Sequence, residues 1–368
     1  MTCRTRESWS LSCFIALVAL TIGSGAASAY QLSPSGTRVE RHEVKAKAIW
    51  YDRYKSGVAT WGVYNFTHPV HEEITQLIFG CDASPDACAD PEMEFTPPTV
   101  IAGVRWNDDP PFRLATTGIR ECRTEQTIRV VTQPICWYHL FRHAEKRATT
   151  TYFDGKSKRW NTMYRSHFGD LQFLHAMASR DGELAGTTRD RVLMWAEFAW
   201  SVAIGAEKGN TLLKDIKVKG FAEFFPYSGQ DVLDLYTLGN TALRRGLPDV
   251  AFGSLLHLVQ DSFAFAHAER MNAVPGATCP NTDRPQPGLI RAFRSYSNQD
   301  HKKHGTHDAR TAFQESIKGT PNAVDVGRIL LSMYDERKPW SEVEPYLKCV
   351  FAVQNENAEA SPGDGLGM

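Results

Sequence analysis

His257-Leu-Val-Gln-Asp261-Ser-Phe-Ala-Phe-Ala-His267 places three good metal ligands inside a stretch that otherwise reads as a buried helix. At about 100° per residue, His257 and Asp261 share one face while His267 points about 120° away, so one helix would serve two metal centres. Leu255, Leu256, Leu258, Phe263 and Phe265 surround these side chains with apolar company. A carboxylate buried beside imidazoles needs compensating charge, and a divalent cation supplies it.

Outward from this stretch, apolar residues recur at three-four spacing over 70–79, 167–179, 188–206, 231–245, 248–269 and 309–317, which predicts an all-α fold class. The run Thr127-Ile-Arg-Val-Val-Thr132 is β-prone and lies between Cys122 and Cys136, predicting a small disulfide-tied β element. Gly and Pro mark 272–288 as a surface loop and 360–368 as a frayed tail.

Arg4 and Arg6, an apolar run around Phe14 to Ile22, and Ala27-Ser28-Ala29 have the layout of a cleavable signal peptide over 1–29. The expectation is one helical catalytic domain over 30–368, exported to the periplasm or beyond, with no transmembrane segment. The chain carries 41 Lys+Arg against 42 Asp+Glu, so bulk attraction to nucleic acid or anionic lipid is not indicated. Beyond the leader, Cys81, Cys88, Cys122, Cys136, Cys279 and Cys349 form an even set suited to an oxidising compartment. Cys81 with Cys88 and Cys122 with Cys136 would close short local loops, leaving Cys279 with Cys349. No CxxC pair is present to suggest a thiolate zinc site.

Ligand-type residues recur elsewhere. His71 opens a helix, Trp106-Asn107-Asp108-Asp109 offers short carboxylates in a loop, Ser166-His167-Phe168 begins a helix, and His304 with Asp308 stand at i,i+4. Oxygen and imidazole ligands without thiolate suit Zn²⁺. The plainer assignments go to other residues. His42, His139, His143 and His301 read as surface or structural, His175 as core, and Asp109, Asp170 and His307 as neighbours of better ligands.

In order and spacing, His71, the segment Gly103 to Asp108, Ser166-His167-Phe168, the HxxxDxxxxxH stretch and the HxxxD pair resemble the zinc-dependent phospholipase C and S1/P1 nuclease superfamily. The resemblance implies a helical fold with insertions and two or three zinc ions in a cleft. It implies one ion on Asp108, His167, His257 and Asp261, a second on His267, His304 and Asp308, and a third on His71 bridged by Asp261. Asp108 would also be the catalytic carboxylate that orients or deprotonates water. About +3 of local charge would then attract a phosphodiester despite the near-neutral surface.

Two departures stand out. The family's N-terminal tryptophan ligand has no counterpart, because cleavage after Ala29 exposes Tyr30; Trp61, exposed by a second processing step, or the His68 side chain could substitute, and a weak or absent third metal is the equal alternative. Asp308 stands where the phospholipase branch has Glu and the nuclease branch Asp, whereas the segment from Gly169 through Pro226 is similar to secreted bacterial phospholipases C. The leading expectation is a phospholipase C releasing diacylglycerol and a phosphorylated headgroup from phospholipid at a membrane surface. The alternatives are a single-strand nuclease and a non-catalytic, metal-stabilised lipid-binding scaffold. Phe66, Trp106, Trp160, Tyr164 and Trp195 are available as cleft aromatics for a choline group or a base.

Overall fold

The computed structural model describes residues 32, 36–43, 69–88, 90, 95–114, 120, 122–123, 126–149, 162–226 and 229–368. The expected leader, Tyr30, Trp61, Phe66, His68 and Trp160 lie outside these residues, as do the side chains of His42 and His301.

The described chain is mostly helical and is organised around the helix Leu247–Asp261, buried nearly all the way round from Val250 onward. That is what an apolar sequence on every face demands. Pro248 sits in the first turn, where a missing N–H costs nothing. Against this helix pack Val70–Ile78, Pro98–Val104, Ala185–Ala203 and Ala323–Asp335. Trp195, Phe198 and Trp200 fill the space on the Ala185–Ala203 side. A second apolar cluster joins Pro134–Thr149 to Thr162–Phe168 through Trp137, Phe141, Met163 and Tyr296. Side-chain caps at Asp231, Asn240 and Asn322 satisfy first-turn N–H groups, each worth about 1 kcal/mol.

Several expected elements are shorter than their periodicity. The helix expected over 248–269 ends at Asp261, because the Arg270 guanidinium takes the Ser262 carbonyl at 2.8 Å and the chain turns into a ribbon. That ribbon pairs Ala268–Arg270 antiparallel with Ile290–Phe293. His267 therefore lies beyond the helix rather than on it. The stretch 167–179 breaks after Phe168, continues as the single turn Gln172–His175, and closes on Ala176 in the left-handed region at φ 51°. The stretch 231–245 divides into Val232–Thr237 and Thr241–Arg245. Helices Pro134–Thr149, Ala323–Asp335 and Trp340–Val350 were not among those expected.

The β-prone run 127–132 makes only an isolated bridge from Ile128 to Phe112. Beyond it Arg129 and Thr132 close a turn on one another, and the Val130 N–H donates to Asp109, which ends any strand. All three disulfides pair as the loop lengths suggested: Cys81–Cys88, Cys122–Cys136 and Cys279–Cys349. The segment 360–368 is not frayed. Ser361 bridges to Arg294 and Gly367 to Gln299, and Leu366 is buried at 1% exposure. Among the described residues no helix is long and apolar enough to cross a membrane.

Candidate metal centre

Two glycines decide where the site forms. A Cβ on Gly103 would meet the Val250 carbonyl oxygen at 2.2 Å, and one on Gly253 would meet the Val100 carbonyl oxygen at 2.2 Å. Only hydrogen at both positions lets Pro98–Val104 cross Leu247–Asp261 at backbone contact. The crossing brings the Val104 carbonyl to His257, whose Nδ1 donates to it at 2.6 Å. Just beyond, Asn107 accepts from Ser254 at 2.6 Å and donates to the Leu174 carbonyl at 2.7 Å. One side chain thus ties the Asp108 loop, the central helix and the Gln172–His175 turn together.

Three groups of buried His and Asp side chains result, each able to hold a metal ion: His71, His257 and Asp261; Asp108, His175 and His257; and His267, His304 and Asp308. In the first two, Asp261 Oδ2 lies 2.9 Å from both His257 Nε2 and His175 Nδ1, and Asp261 Oδ1 lies 3.4 Å from His71 Nε2. Asp108 faces His175 at 3.8 Å and His71 at 3.9 Å. The His71 ring stacks on His257 with centroids 3.9 Å apart. In the third group, Asp308 is 2.9 Å from His304 Nε2 and 3.5 Å from His267 Nε2. Ligands about 2.1 Å from an ion stand about 3.4 Å apart in a tetrahedron, and these separations straddle that value.

The imidazoles are held from behind. His71 Nδ1 donates to Gln260 Oε1 at 2.6 Å, with the Gln260 amide anchored by donation to Thr75 Oγ1. His267 Nδ1 donates to the His175 carbonyl at 2.7 Å, and His304 Nδ1 to Gln299 Oε1 at 2.5 Å. With Nδ1 carrying the proton, each neutral ring presents an Nε2 lone pair to the interior, the outer-shell arrangement that orients metal-binding histidines. His257 Nε2 and Asp261 Oδ2 then face one another at 2.9 Å, and a neutral imidazole has no proton to place between them. Both Asp108 carboxylate oxygens and Asp261 Oδ1 are buried without a hydrogen-bond partner among the described residues. A shared cation resolves both conditions, so the donor set fits a divalent metal.

The proton affinities state the same conflict. Burial, reinforced by Asp261 and Asp308, pushes the Asp108 carboxyl well above the usual range. Burial lowers His257 to about 3 and also lowers His175 and His167. His267 moves the other way, to about 9, because Asp261 and Asp308 outweigh its burial. Without a metal, burial keeps His167, His175 and His257 neutral and Asp108 protonated, while His267 holds a proton that a bound cation would displace.

Seven of the eight expected ligands come together: His71, Asp108, His257, Asp261, His267, His304 and Asp308. His167 is not in any of the three groups but borders them, edge-on to His175 at 5.4 Å, with Nδ1 against Ser166 Oγ at 3.1 Å and Nε2 buried without a hydrogen-bond partner among the described residues. His175, expected as core, stands beside Asp108 and His257. The physical reason is the break after Phe168: an unbroken helix would carry His175 elsewhere, whereas the tight turn ending on Ala176 aims it at Asp261. No sequence-local signal marks it, since the carboxylate it meets at 2.9 Å, Asp261, is 86 residues away in the chain. Asp170 pairs with Arg165 at 2.8 Å, His307 lies against Phe265, and His139 and His143 are exposed. Trp106 and Trp195 stack at 5.4 Å in the core, and Tyr164 is buried too, so none of the three walls an open cleft.

Behind Asp108 lies a second buried layer of charge. Arg105 pairs with Glu40 at 3.1 Å and Glu72 at 2.7 Å, while Arg129 pairs with Glu40 at 2.9 Å and Asp109 at 3.2 Å. Burial opposes ionisation of Glu40, but Arg105 and Arg129 hold its carboxyl below the usual range. Burial wins at Asp109, pushing it up to about 6 against Arg129. The residues flanking two candidate ligands, Glu72 after His71 and Asp109 after Asp108, are thereby fixed to one network. Comparisons with protein-family models, curated proteins and solved structures find no match to this chain.

Proposed function

We propose that this protein is an exported zinc-dependent phosphodiesterase of the phospholipase C type, related to the phospholipase C and S1/P1 nuclease superfamily. The observation that carries the proposal is the convergence of His71, Asp108, His175, His257, Asp261, His267, His304 and Asp308 into adjoining buried groups. Zinc is favoured by a donor set of imidazole and carboxylate without thiolate. The three disulfides fit an oxidising compartment.

His71, Asp108, His175, His257 and Asp261 would hold one or two ions, and His267, His304 and Asp308 another. Bound there, divalent ions supply Lewis-acid activation of water and neutralisation of phosphate charge. The chain's own residues do the remainder. Asp261 touches both halves of the site, 3.7 Å from His267 as well as 2.9 Å from His257, so it couples them. Asp108, ionised once metal offsets its burial, orients water for in-line attack at phosphorus. The backing acceptors on His71, His257, His267 and His304 keep the imidazoles from rotating as charge develops.

A lipid substrate is favoured over a polyanion by the balance of 41 basic against 42 acidic residues. It is supported by Phe265, 40% exposed between Asp261 and His267 and 5.0 Å from the His307 ring. Asp308, shared with the nuclease branch, supports the second reading, a single-strand nuclease. A zinc-loaded sample assayed in parallel on phosphatidylcholine and single-stranded nucleic acid separates the two. Diacylglycerol release is expected; cleavage of nucleic acid alone would overturn the lipid assignment.

A further inference from the structure

We infer that Gln299 is a positioning residue for the His267–His304–Asp308 group, and that the segment 361–368 is the strap that holds Gln299 in place. The inference rests on the proposal that this group binds a metal ion.

Gln299 is fully buried and uses its whole carboxamide. Its Nε2 donates to the Ala266 carbonyl at 2.9 Å and to the Pro362 carbonyl at 2.8 Å. Two carbonyls around one nitrogen leave no freedom to flip the amide, because a flipped oxygen would meet two acceptors. Oε1 must therefore face His304, where it accepts from Nδ1. That contact fixes the tautomer: Nε2 of His304 is left as a lone pair 2.9 Å from Asp308 Oδ2. The same amide grips Ala266, the residue before His267, so one side chain sets two of the three candidate ligands.

The third partner is the strap. Ser295 donates to the Ser361 carbonyl at 3.0 Å, Asp300 to the Leu366 carbonyl at 2.7 Å, and Met368 to the Asn298 carbonyl at 3.1 Å. Lys303 Nζ, one residue before His304, reaches the Gly367 carbonyl at 3.0 Å. Leu366 is 1% exposed and fastens the segment by burial. The helix His301–His307 has only seven residues and begins immediately after this anchored stretch. So short a helix has little stability of its own, and its orientation is borrowed from what grips its first turn.

The test measures zinc per chain and stepwise zinc affinity in metal-buffered solution, with circular dichroism recording the fold. Gln299→Leu removes all three amide contacts, and Leu366→Ala loosens the strap alone. His304→Ala identifies the ion that belongs to this group. Expected is a loss of affinity of about 10–100-fold in Gln299→Leu for that ion alone, the range typical of outer-shell partners, with a smaller loss in Leu366→Ala. Should Gln299→Leu fail to fold, the Leu366→Ala comparison carries the test. Wild-type affinity for that ion in the folded variants would overturn the inference and leave the proposed function standing. A wild-type protein that takes up no zinc would overturn the metal assignment itself, and the inference with it.

Discussion

The two halves of the site are built from different materials. The half around His257 and Asp261 rides on a buried helix locked to its neighbour by Gly103 and Gly253, and is backed by the Arg105 and Arg129 charge layer. The half around His267, His304 and Asp308 has no long helix. It hangs on a ribbon, a seven-residue helix and the segment 361–368. Core packing sets the first group of candidate ligands; hydrogen bonds to irregular backbone set the second. Local opening is easier in short, irregular segments than in a packed helical core, so the second half should yield first when metal is withdrawn slowly.

Asp261 joins the halves, and the largest effect is expected there. Asp261→Asn should lower turnover at least about a hundredfold, beyond the loss typical of an outer-shell change, and more than His71→Ala, which lies in one half of the site only. Equal residual rates in a phosphodiester assay would contradict the coupling role. Glu40 tests the foundation of the first half. Removing a buried carboxylate shared by two guanidiniums in Glu40→Ala should cost about 3–5 kcal/mol in denaturant unfolding. Because the folded state holds the Glu40 carboxyl below its unfolded value, its contribution is present above that value and is lost as pH falls through the folded one. The stability gap between wild type and Glu40→Ala should therefore narrow in acid; a gap constant down to pH 3 would contradict the ion-pair account.

Gly253→Ala is the finer instrument. Its Cβ would press on the Val100 carbonyl and stand 2.6 Å from the Val104 nitrogen, forcing apart the helices that seat His257. A loss of about 1–3 kcal/mol is expected, with zinc leaving the first half before the second, the reverse of the wild-type order. An unchanged order of loss would mean that the crossing does not position His257.

Legibility in the sequence follows the same divide. Helical spacing located Val70–Ile78 and Ala185–Ala203 to within a few residues, and the i,i+4 pairs His257/Asp261 and His304/Asp308 both lie at 2.9 Å. Those contacts are local, and spacing encodes them. The end of the central helix was not legible, because apolar residues run past Asp261 and it is Arg270, folding back from the ribbon, that takes the terminal carbonyl. His175 was missed for a related reason: its turn depends on Arg165 holding Asp170 and on Ala176 entering the left-handed region, and its partners are remote in the chain. The segment 360–368 has the composition of a tail, yet backbone pairing fixes it, and backbone pairing leaves no mark on residue type.

Anomalous diffraction at the zinc edge, on crystals grown with zinc, tests the central claim most directly. One or two peaks are expected among His71, Asp108, His175, His257 and Asp261, and another among His267, His304 and Asp308. Maps empty at both places in a fully folded, zinc-supplied protein would contradict it.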